Sequence, residues 1–333
     1  MALPVAVLGA GSWGTALAMQ LARQGHAVRL WARDPAQAHV MQNERINRRY
    51  LPDYTLADNI TISADMDSCL EGAKRILVVT PSHAFPETLE KIAPFLTPDI
   101  GLAWASKGFE PGSGRLLHVV AAERFGSDMP LALVTGPSFA KEVAAGLPTA
   151  VTVASNNAEF GETWAEMLHG SGFRAYYTAD LTGAELGSAV KNVLAVACGM
   201  SDGLGLGDNT RAALITRGLA EVMRLGEAMD ADPRTLMGLA GMGDLVLTCT
   251  GDLSRNRRMG LALGQGKSVE QAQEEIGQVV EGIKTSEETM RLAERYQVDM
   301  PITEQIHGIL FKGWSARKGV RVLMERDLKR ETE

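Results

Sequence analysis

The sequence predicts a doubly wound, mainly parallel α/β domain followed by an all-helical domain. In the first half, short continuous apolar runs alternate with helical patterns, as expected for strands buried on both faces of a parallel sheet. After about Thr182 the strand-like runs stop and helical spacing continues. We therefore assign residues 1–186 to the α/β domain and residues 187–333 to the helical domain.

Six runs predict the strands. In chain order they are VAVLG (Val5–Gly9), AVRLWA (Ala27–Ala32), RILVVTP (Arg75–Pro81), GLAWASKG (Gly101–Gly108), LALVTGP (Leu131–Pro137) and TAVTVAS (Thr149–Ser155). Ala16–Gln24 and Pro86–Pro94 are long enough for crossover helices. The second domain contains four segments with helical spacing: AELGSAVKNVLAVACGM, RAALITRGLAEVMRLGEAM, SVEQAQEEI and TSEETMRLAERY.

Composition excludes several classes of protein. With 333 residues and 45% hydrophobic content the chain can bury a large core. Its formal net charge of −7 gives no general attraction to nucleic acid or to acidic membranes. No uncharged stretch reaches the ~20 apolar residues of a membrane span.

Cysteine and histidine positions predict neither disulfides nor a metal site. Cys69, Cys198 and Cys249 are odd in number and lack CxxC spacing, which favours a reducing cytoplasm. The histidines considered also lack ligand spacing; these are His83, His118 and His307.

A glycine motif opens the first predicted helix. Gly9, Gly11 and Gly14 form G-x-G-x-x-G directly after the first predicted strand. The first glycine allows a tight turn, the second lets a pyrophosphate approach, and the third lets helix and strand pack closely. The following helix N-terminus offers free N–H groups to phosphates. The motif predicts a bound dinucleotide.

The tip of the second strand indicates which dinucleotide is bound. An acid is expected there to hold the adenine ribose of NAD, but the sequence reads WARD, with Arg33 past the tip and Asp34 turned away. Arginine pairs well with a 2′-phosphate, so we expect NADP to be accepted at least as well as NAD. The alternative is that Arg33 is a solvated charge.

Three further clusters are candidates for the reaction site. WASKG places Lys107 at the carboxyl end of a predicted strand, where ligands bind in open α/β sheets. GPSFAKE places Ser138 in a turn after the next strand, and GSAVKN places Lys191 among small residues that permit close helix approach. The alternative for Lys191 is an ordinary lysine extending to water.

Together these motifs carry a family resemblance. They are GAGSWGTALA, PSHAF, WASKG, LVTGPSFAKEVAAGLPTA, AVKNVLAVACGMSDGLG, RAALITRGLAEVMRLG, GMGDLVLTCT, SRNRRMG, GQVVEG and MPITE. In this order, from about Val5 to about Phe311, the chain resembles the bacterial NAD(P)-dependent sn-glycerol-3-phosphate dehydrogenases. The resemblance implies a Rossmann domain, a helical domain of the 6-phosphogluconate dehydrogenase C-terminal type, and a homodimer. The implied reaction is reversible reduction of dihydroxyacetone phosphate to glycerol 3-phosphate for phospholipid synthesis.

The resemblance also implies residue roles. It assigns Lys191 to proton transfer, with Asp244 and Lys107 beside it. The implied substrate contacts are Lys107, Gly136, Ser138, Lys191, Asp244, Ser254, Arg255 and Asn256. The implied cofactor contacts are Gly9, Gly11, Ser12, Trp13, Gly14, Arg33, Lys107, Ala140, Arg255, Val279 and Glu281.

These roles are chemically reasonable. A lysine ammonium can stabilise charge on a carbonyl oxygen and then donate a proton. Burial and Lys107 would lower the pKa of Lys191 whereas Asp244 would raise it, so the sequence leaves the direction open. Ser254 is a predicted N-cap for RNRRMGLAL, where a phosphate would meet free N–H groups and Arg255.

Two other functions remain open at this stage. One is a β-hydroxyacid dehydrogenase or ketopantoate reductase, which would act on a carboxylate; SRNRR and Lys107 favour a phosphorylated substrate instead. The other is a dinucleotide sensor without catalysis, which would need no proton donor. ERINRRY (Glu44–Tyr50) is interpreted as a solvated loop or helix face, and Asp202 and Asp208 as turn formers.

Overall fold

The structure is a computed structural model that describes residues 3–170, 172–327 and 330. Within these residues the strands are β1 (Pro4–Leu8), β2 (Ala27–Trp31), β3 (Ile46–Asn47), β4 (Leu51–Thr55), β5 (Ile60–Ser63), β6 (Arg75–Val78), β7 (Leu102–Trp104), β8 (Leu131–Thr135), β9 (Thr149–Ser155) and β10 (Phe173–Thr178). The helices of the α/β part are α1 (Ser12–Arg23), α2 (Pro35–Glu44), α3 (Met66–Leu70), α4 (Phe85–Ile92), α5 (Leu117–Phe125), α6 (Ala140–Ala145) and α7 (Ala158–Leu168).

The remaining described chain is helical. Its helices are α8 (Leu181–Gly203), α9 (Gly207–Ala228), α10 (Pro233–Leu236), α11 (Asp244–Thr250), α12 (Arg255–Gly264), α13 (Val269–Ile276), α14 (Glu281–Tyr296), α15 (Pro301–Phe311) and α16 (Ala316–Met324). A π-helical segment, Leu239–Gly243, leads directly into α11. Across the described ranges, no helix combines the length and the apolarity that a bilayer crossing requires.

The predicted doubly wound sheet is confirmed. Its order is β10-β9-β8-β7-β6-β1-β2-β5, and all neighbouring pairs are parallel except β8 with β9. Alternate side chains of β1 lie in different hydrophobic cores, because successive side chains of a strand point to opposite faces of the sheet. Val5 and Val7 belong to the core that includes residues of α1 and α7, whereas Ala6 and Leu8 belong to the core that includes residues of α4 and α5. Helices therefore cover both faces.

The sequence prediction missed both edge strands. β5 and β10 lie at opposite ends of the sheet, and their sequences are ITIS and FRAYYT. An edge strand has one neighbouring strand and keeps more polar residues than a central one. The search for continuous apolar runs therefore favoured the inner strands.

The interpretation of ERINRRY as a solvated loop or helix face was wrong for part of the segment. Ile46–Asn47 forms β3, which pairs antiparallel with β4. Asn47 is fully buried, and its Nδ2 donates to the carbonyl of Ala10 at 3.0 Å and to Thr15 Oγ1 at 2.9 Å. A buried amide that meets hydrogen-bond partners can lie inside a polar-looking sequence.

Helix α8 is the centre of the helical part and connects it to the sheet. Twenty of its 23 residues are buried, as expected for a helix that is apolar on every side. It packs against α9, α11, α12 and α14. The boundary placed between residues 186 and 187 falls inside this continuous helix and remains a prediction.

Candidate active site

A buried carboxylate holds two lysines where the two parts of the chain meet. Lys107 follows β7, Lys191 lies within α8, and Asp244 begins α11. Lys107 Nζ is 2.8 Å from Asp244 Oδ2, and Lys191 Nζ contacts Oδ1. Asp244 is 1% exposed and Lys191 is 5% exposed. The cluster carries one net positive charge when both lysines are protonated, and Asp244 and Lys191 are shielded from water.

Close helix packing makes this contact possible. A Cβ on Gly187 would lie 2.9 Å from Ala240 O and 2.9 Å from Gly241 Cα, so only glycine lets α8 reach the segment before Asp244. The expectation of close approach along GSAVKN is therefore confirmed. Thr248 Oγ1 donates to the main-chain oxygen of Asp244 at 2.6 Å.

The environment tunes the Lys191 ammonium. Burial lowers the pKa of Lys191 to about 7; the charge of Lys107 acts in the same direction, and Asp244 opposes both. The direction that the sequence left open is thus downward. Glu281 and Cys249 also interact electrostatically with Lys191. A lysine with this pKa exchanges a proton near neutral pH.

The residues after β8 lie beside Lys107. Its Nζ is 3.4 Å from the carbonyl of Gly136, and Ser138 Oγ donates to the same carbonyl at 3.0 Å. Ala140 begins α6. The fold thus brings GPSFAKE and WASKG together, because β7 and β8 are parallel neighbours.

The start of α12 has the local features that favour an anion. Ser254 is the N-cap, and its Oγ accepts from Arg257 N at 3.2 Å, which confirms the predicted cap. No acidic residue lies in the first turn, so its free N–H groups favour an anion. Arg255 is half-buried, and its Nη1 lies 3.5 Å from Gln278 Oε1.

Asn256 links three helices. Its Nδ2 donates to Asn192 Oδ1 at 2.8 Å, and its Oδ1 accepts from Gly282 N at 2.9 Å. The sequence reasoning did not single out Asn192, which follows Lys191 and whose buried Nδ2 has no hydrogen-bond partner among the residues that the structure describes. The signal in the sequence that could have identified Asn192 was its position directly after the candidate lysine.

The glycine turn fits a dinucleotide. Gly9 has φ +126°, and a Cβ on Gly14 would lie 1.9 Å from Gly9 O. A Cβ on Gly11 would meet nothing within 4 Å, so the space beside Gly11 can admit a pyrophosphate. α1 has neither a side-chain cap nor an acid in its first turn, Ser12–Trp13–Gly14. Asn47, which the sequence reasoning missed, supports this turn by donating from its Nδ2 to the carbonyl of Ala10.

The tip of β2, where the sequence analysis expects the adenine ribose, is followed by a cation. Arg33 is exposed, whereas Asp34 caps α2 by accepting from Ala36 N at 2.9 Å. The acid in WARD is therefore the N-cap of α2, whereas the sequence interpretation placed it in the loop. Burial lowers the pKa of His83, and the charges of Lys284 and Arg33 lower it further.

Val279 and Glu281 belong to the helical part of the chain, close to the start of α14. Val279 is 52% exposed, and Glu281 opens α14. Burial raises the pKa of Glu281, and the charges of Arg255, Lys107 and Lys191 oppose that shift. Glu281 therefore interacts electrostatically with three of the predicted site residues, Arg255, Lys107 and Lys191.

The interpretation of Asp202 and Asp208 as turn formers was wrong. Asp202 lies within α8, and its carboxylate accepts from Arg257 Nη2 at 2.8 Å and from Arg211 Nη1 at 2.9 Å. Asp208 lies in the first turn of α9 and contacts Arg211. The guanidinium of Arg257 in SRNRR is largely buried against Asp202. Arg257 therefore joins α12 to α8.

The fold and the site define a two-domain NAD(P)-dependent dehydrogenase. Models of the NAD-dependent glycerol-3-phosphate dehydrogenase N-terminus and C-terminus match residues 4–161 and 180–321. The chain belongs to the NAD-dependent glycerol-3-phosphate dehydrogenase family.

Individual relatives agree. A protein named glycerol-3-phosphate dehydrogenase [NAD(P)+] from Stenotrophomonas maltophilia (strain R551-3) is 57% identical over 98% of this chain and 96% of its own. A Serratia proteamaculans (strain 568) protein of the same name is 53% identical, with the same coverage. The crystal structure of a Coxiella burnetii glycerol-3-phosphate dehydrogenase is 48% identical, with TM-score 0.94 over 98% of this chain and 99% of that chain.

Proposed function

We propose that this protein catalyses the reversible NAD(P)H-dependent reduction of dihydroxyacetone phosphate to sn-glycerol 3-phosphate and so supplies glycerophospholipid synthesis. The observation that carries this proposal is the buried Asp244 carboxylate that holds Lys107 and Lys191. The names of the relatives support the substrate.

Lys191 transfers the proton. In reduction, negative charge grows on the C2 oxygen, and the Lys191 ammonium stabilises it and then protonates it. In oxidation, neutral Lys191 accepts the alcohol proton, which a pKa of about 7 permits. Asp244 orients the ammonium, and Lys107 adds positive charge beside the reacting oxygen. When bound, the reduced dinucleotide supplies the hydride.

Two sets of residues hold the ligands. The substrate phosphate lies at the start of α12, with the Ser254 hydroxyl, the Arg255 guanidinium and the Asn256 N–H; Gly136 and Ser138 border the reacting end. The dinucleotide contacts Gly9, Gly11, Ser12, Trp13, Gly14, Arg33, Lys107, Ala140, Arg255, Val279 and Glu281.

The protein works as a homodimer in the cytoplasm, as the family resemblance implies. Sedimentation at several protein concentrations tests the dimer. The functional division between residues 186 and 187 leaves Lys191 in the helical domain and Lys107 in the α/β domain, so neither domain alone is catalytic.

The test of the function is NADPH oxidation with dihydroxyacetone phosphate, followed in the wild type and in Lys191→Ala, with NADPH binding titrated separately. We expect turnover that Lys191→Ala abolishes while NADPH binding survives. Lys267→Ala is a matched control, because the ion-pair partner of Lys267 is Glu275, which is exposed. Turnover with ketopantoate but not with dihydroxyacetone phosphate would overturn the substrate assignment.

A further inference from the structure

A second buried carboxylate lies at the boundary between the sheet and α8. Glu185 is 3% exposed. Its Oε1 accepts from Trp104 Nε1 at 3.2 Å and from the main-chain N of His118 at 3.2 Å. The imidazole Nδ1 of His118 lies 2.6 Å from Oε2. One side chain therefore meets donors from β7 and from α5.

These donors flank the segment that carries Lys107. Trp104 is the last residue of β7, and His118 is the second residue of α5. The chain between them contains Lys107. Trp104 is fully buried and packs edge-on against Phe85 with 5.9 Å between ring centroids. Both ends of the Lys107 segment are thus attached to Glu185.

Glu185 also shares a helix with Lys191. The separation of six positions between them corresponds to about 9 Å along the axis. Burial disfavours the charged imidazolium of His118, but Glu185, with help from Asp180, raises the His118 pKa overall. The attachment of the segment thus includes a charge-assisted contact.

We propose that Glu185 is a positioning residue that, through Trp104 and His118, sets the separation between the ammonium groups of Lys107 and Lys191. This inference rests on the proposed roles of those two lysines. Because Glu185 is 3% exposed and its carboxylate meets Trp104 and His118, we assign it no direct role toward substrate or cofactor.

Loss of the Glu185 contacts has a specific consequence. The groups that act on the Lys191 ammonium are Asp244, Lys107, Glu281 and Cys249. When the Lys107 segment moves away, Lys191 loses a cationic neighbour and keeps Asp244. The pKa of Lys191 then rises, so oxidation of glycerol 3-phosphate requires a higher pH. A purely structural role for Glu185 predicts lower stability without this change.

The experiment compares Glu185→Gln, Trp104→Phe and the double variant as full-length proteins. For each, kcat/KM for oxidation of glycerol 3-phosphate by NADP is measured against pH. Each single variant should raise the midpoint by about 0.5–1 pH unit, which lowers kcat/KM at pH 7 by about two- to five-fold because Lys191 is about half neutral there in the wild type. The double variant should match the larger single shift, because both changes act through the same Glu185 side chain.

Glu221→Gln is the matched control. Glu221 is also a buried, hydrogen-bonded glutamate of the helical part, 1% exposed, and it accepts from Ile302 N and Thr303 N away from the lysines. Its midpoint should stay at the wild-type value. Unchanged midpoints in Glu185→Gln and Trp104→Phe, or fully additive shifts, would overturn the inference. If Glu185→Gln does not fold, the midpoints of Trp104→Phe and His118→Asn test the inference in the same way.

A second readout separates this inference from the proposed function. NMR titration of the lysine side chains, with the Lys191 signal identified by its loss in Lys191→Met, reports the pKa of Lys191 without turnover. A raised Lys191 pKa in Glu185→Gln supports the positioning role even if glycerol 3-phosphate is not the substrate. An unchanged pKa refutes it even if the enzyme is active.

Discussion

Lys107 and Lys191 bind opposite oxygens of a single buried carboxylate, that of Asp244. Lys107 arrives from the end of a sheet strand and Lys191 from the central helix of the other part of the chain. The two ammonium groups repel each other, and the carboxylate between them offsets this repulsion. The reacting centre therefore forms only when both parts are packed together.

The first prediction concerns pH. Because Lys191 has a pKa of about 7 and must be protonated for reduction, kcat/KM for dihydroxyacetone phosphate should fall as pH rises through that value. In oxidation the lysine must be neutral, so kcat/KM should rise over the same interval. Initial rates in both directions between about pH 5.5 and pH 9 test this. Parallel profiles in the two directions would contradict it.

The second prediction concerns cofactor choice. Replacing Arg33 by Asp should raise the KM for NADPH by about 10- to 100-fold and leave the KM for NADH within about three-fold, because only NADPH carries the 2′-phosphate. Arg48→Asp is the control, since Arg48 lies on the surface and contacts Glu44. An unchanged ratio of the two KM values would show that the 2′-phosphate binds elsewhere.

The third prediction concerns the substrate phosphate. Arg255→Ala should raise the KM for dihydroxyacetone phosphate by about 10- to 100-fold, since a charge-assisted bond to phosphate is lost, and should lower kcat less. Arg258→Ala, a neighbouring exposed arginine of the same helix, should change neither constant more than about two-fold. Equal KM effects in the two variants would refute a specific role for Arg255.

The fourth prediction concerns the support of the glycine turn. Asn47→Ala removes donors to Ala10 O and Thr15 Oγ1 and leaves both buried acceptors unpaired, at a cost of about 1–3 kcal/mol of unfolding free energy. Titrations should show weaker NADPH binding. Asn43→Ala, at an exposed site of the preceding helix, should alter neither quantity, and an equal loss there would argue against a specific role for Asn47.

The fifth prediction concerns stability. Burial raises the pKa of Glu221 to about 7, although its hydrogen bonds from Ile302 and Thr303 and the charge of Arg224 oppose the shift. Between pH 4.5 and about 7 the unfolded chain binds fewer protons at this group than the folded chain, so its contribution to stability is lost as pH rises. Denaturant unfolding should show wild type losing on the order of 2–3 kcal/mol relative to Glu221→Gln across this interval. Parallel curves for the two proteins would exclude ionisation of Glu221 as the cause.

Local sequence was sufficient where short-range geometry controls the structure. The glycine spacing predicted the tight turn, and Ser254 was correctly identified as a helix cap, because both depend on a few adjacent residues. The edge strand FRAYYT was missed because its partial exposure weakens the apolar pattern. Polar groups such as the buried Asn47 and the partly buried Asp202 were misjudged since their partners are distant in sequence.

The sequence by itself therefore determined the order of elements, the dinucleotide-binding turn and the candidate lysines, because these follow from hydrophobic periodicity and motif spacing. Only the tertiary structure decided that Lys107, Lys191 and Asp244 share one carboxylate site and that the pKa of Lys191 falls. Desolvation and charge interactions depend on the distances and burial that folding creates, and neither is encoded in local sequence.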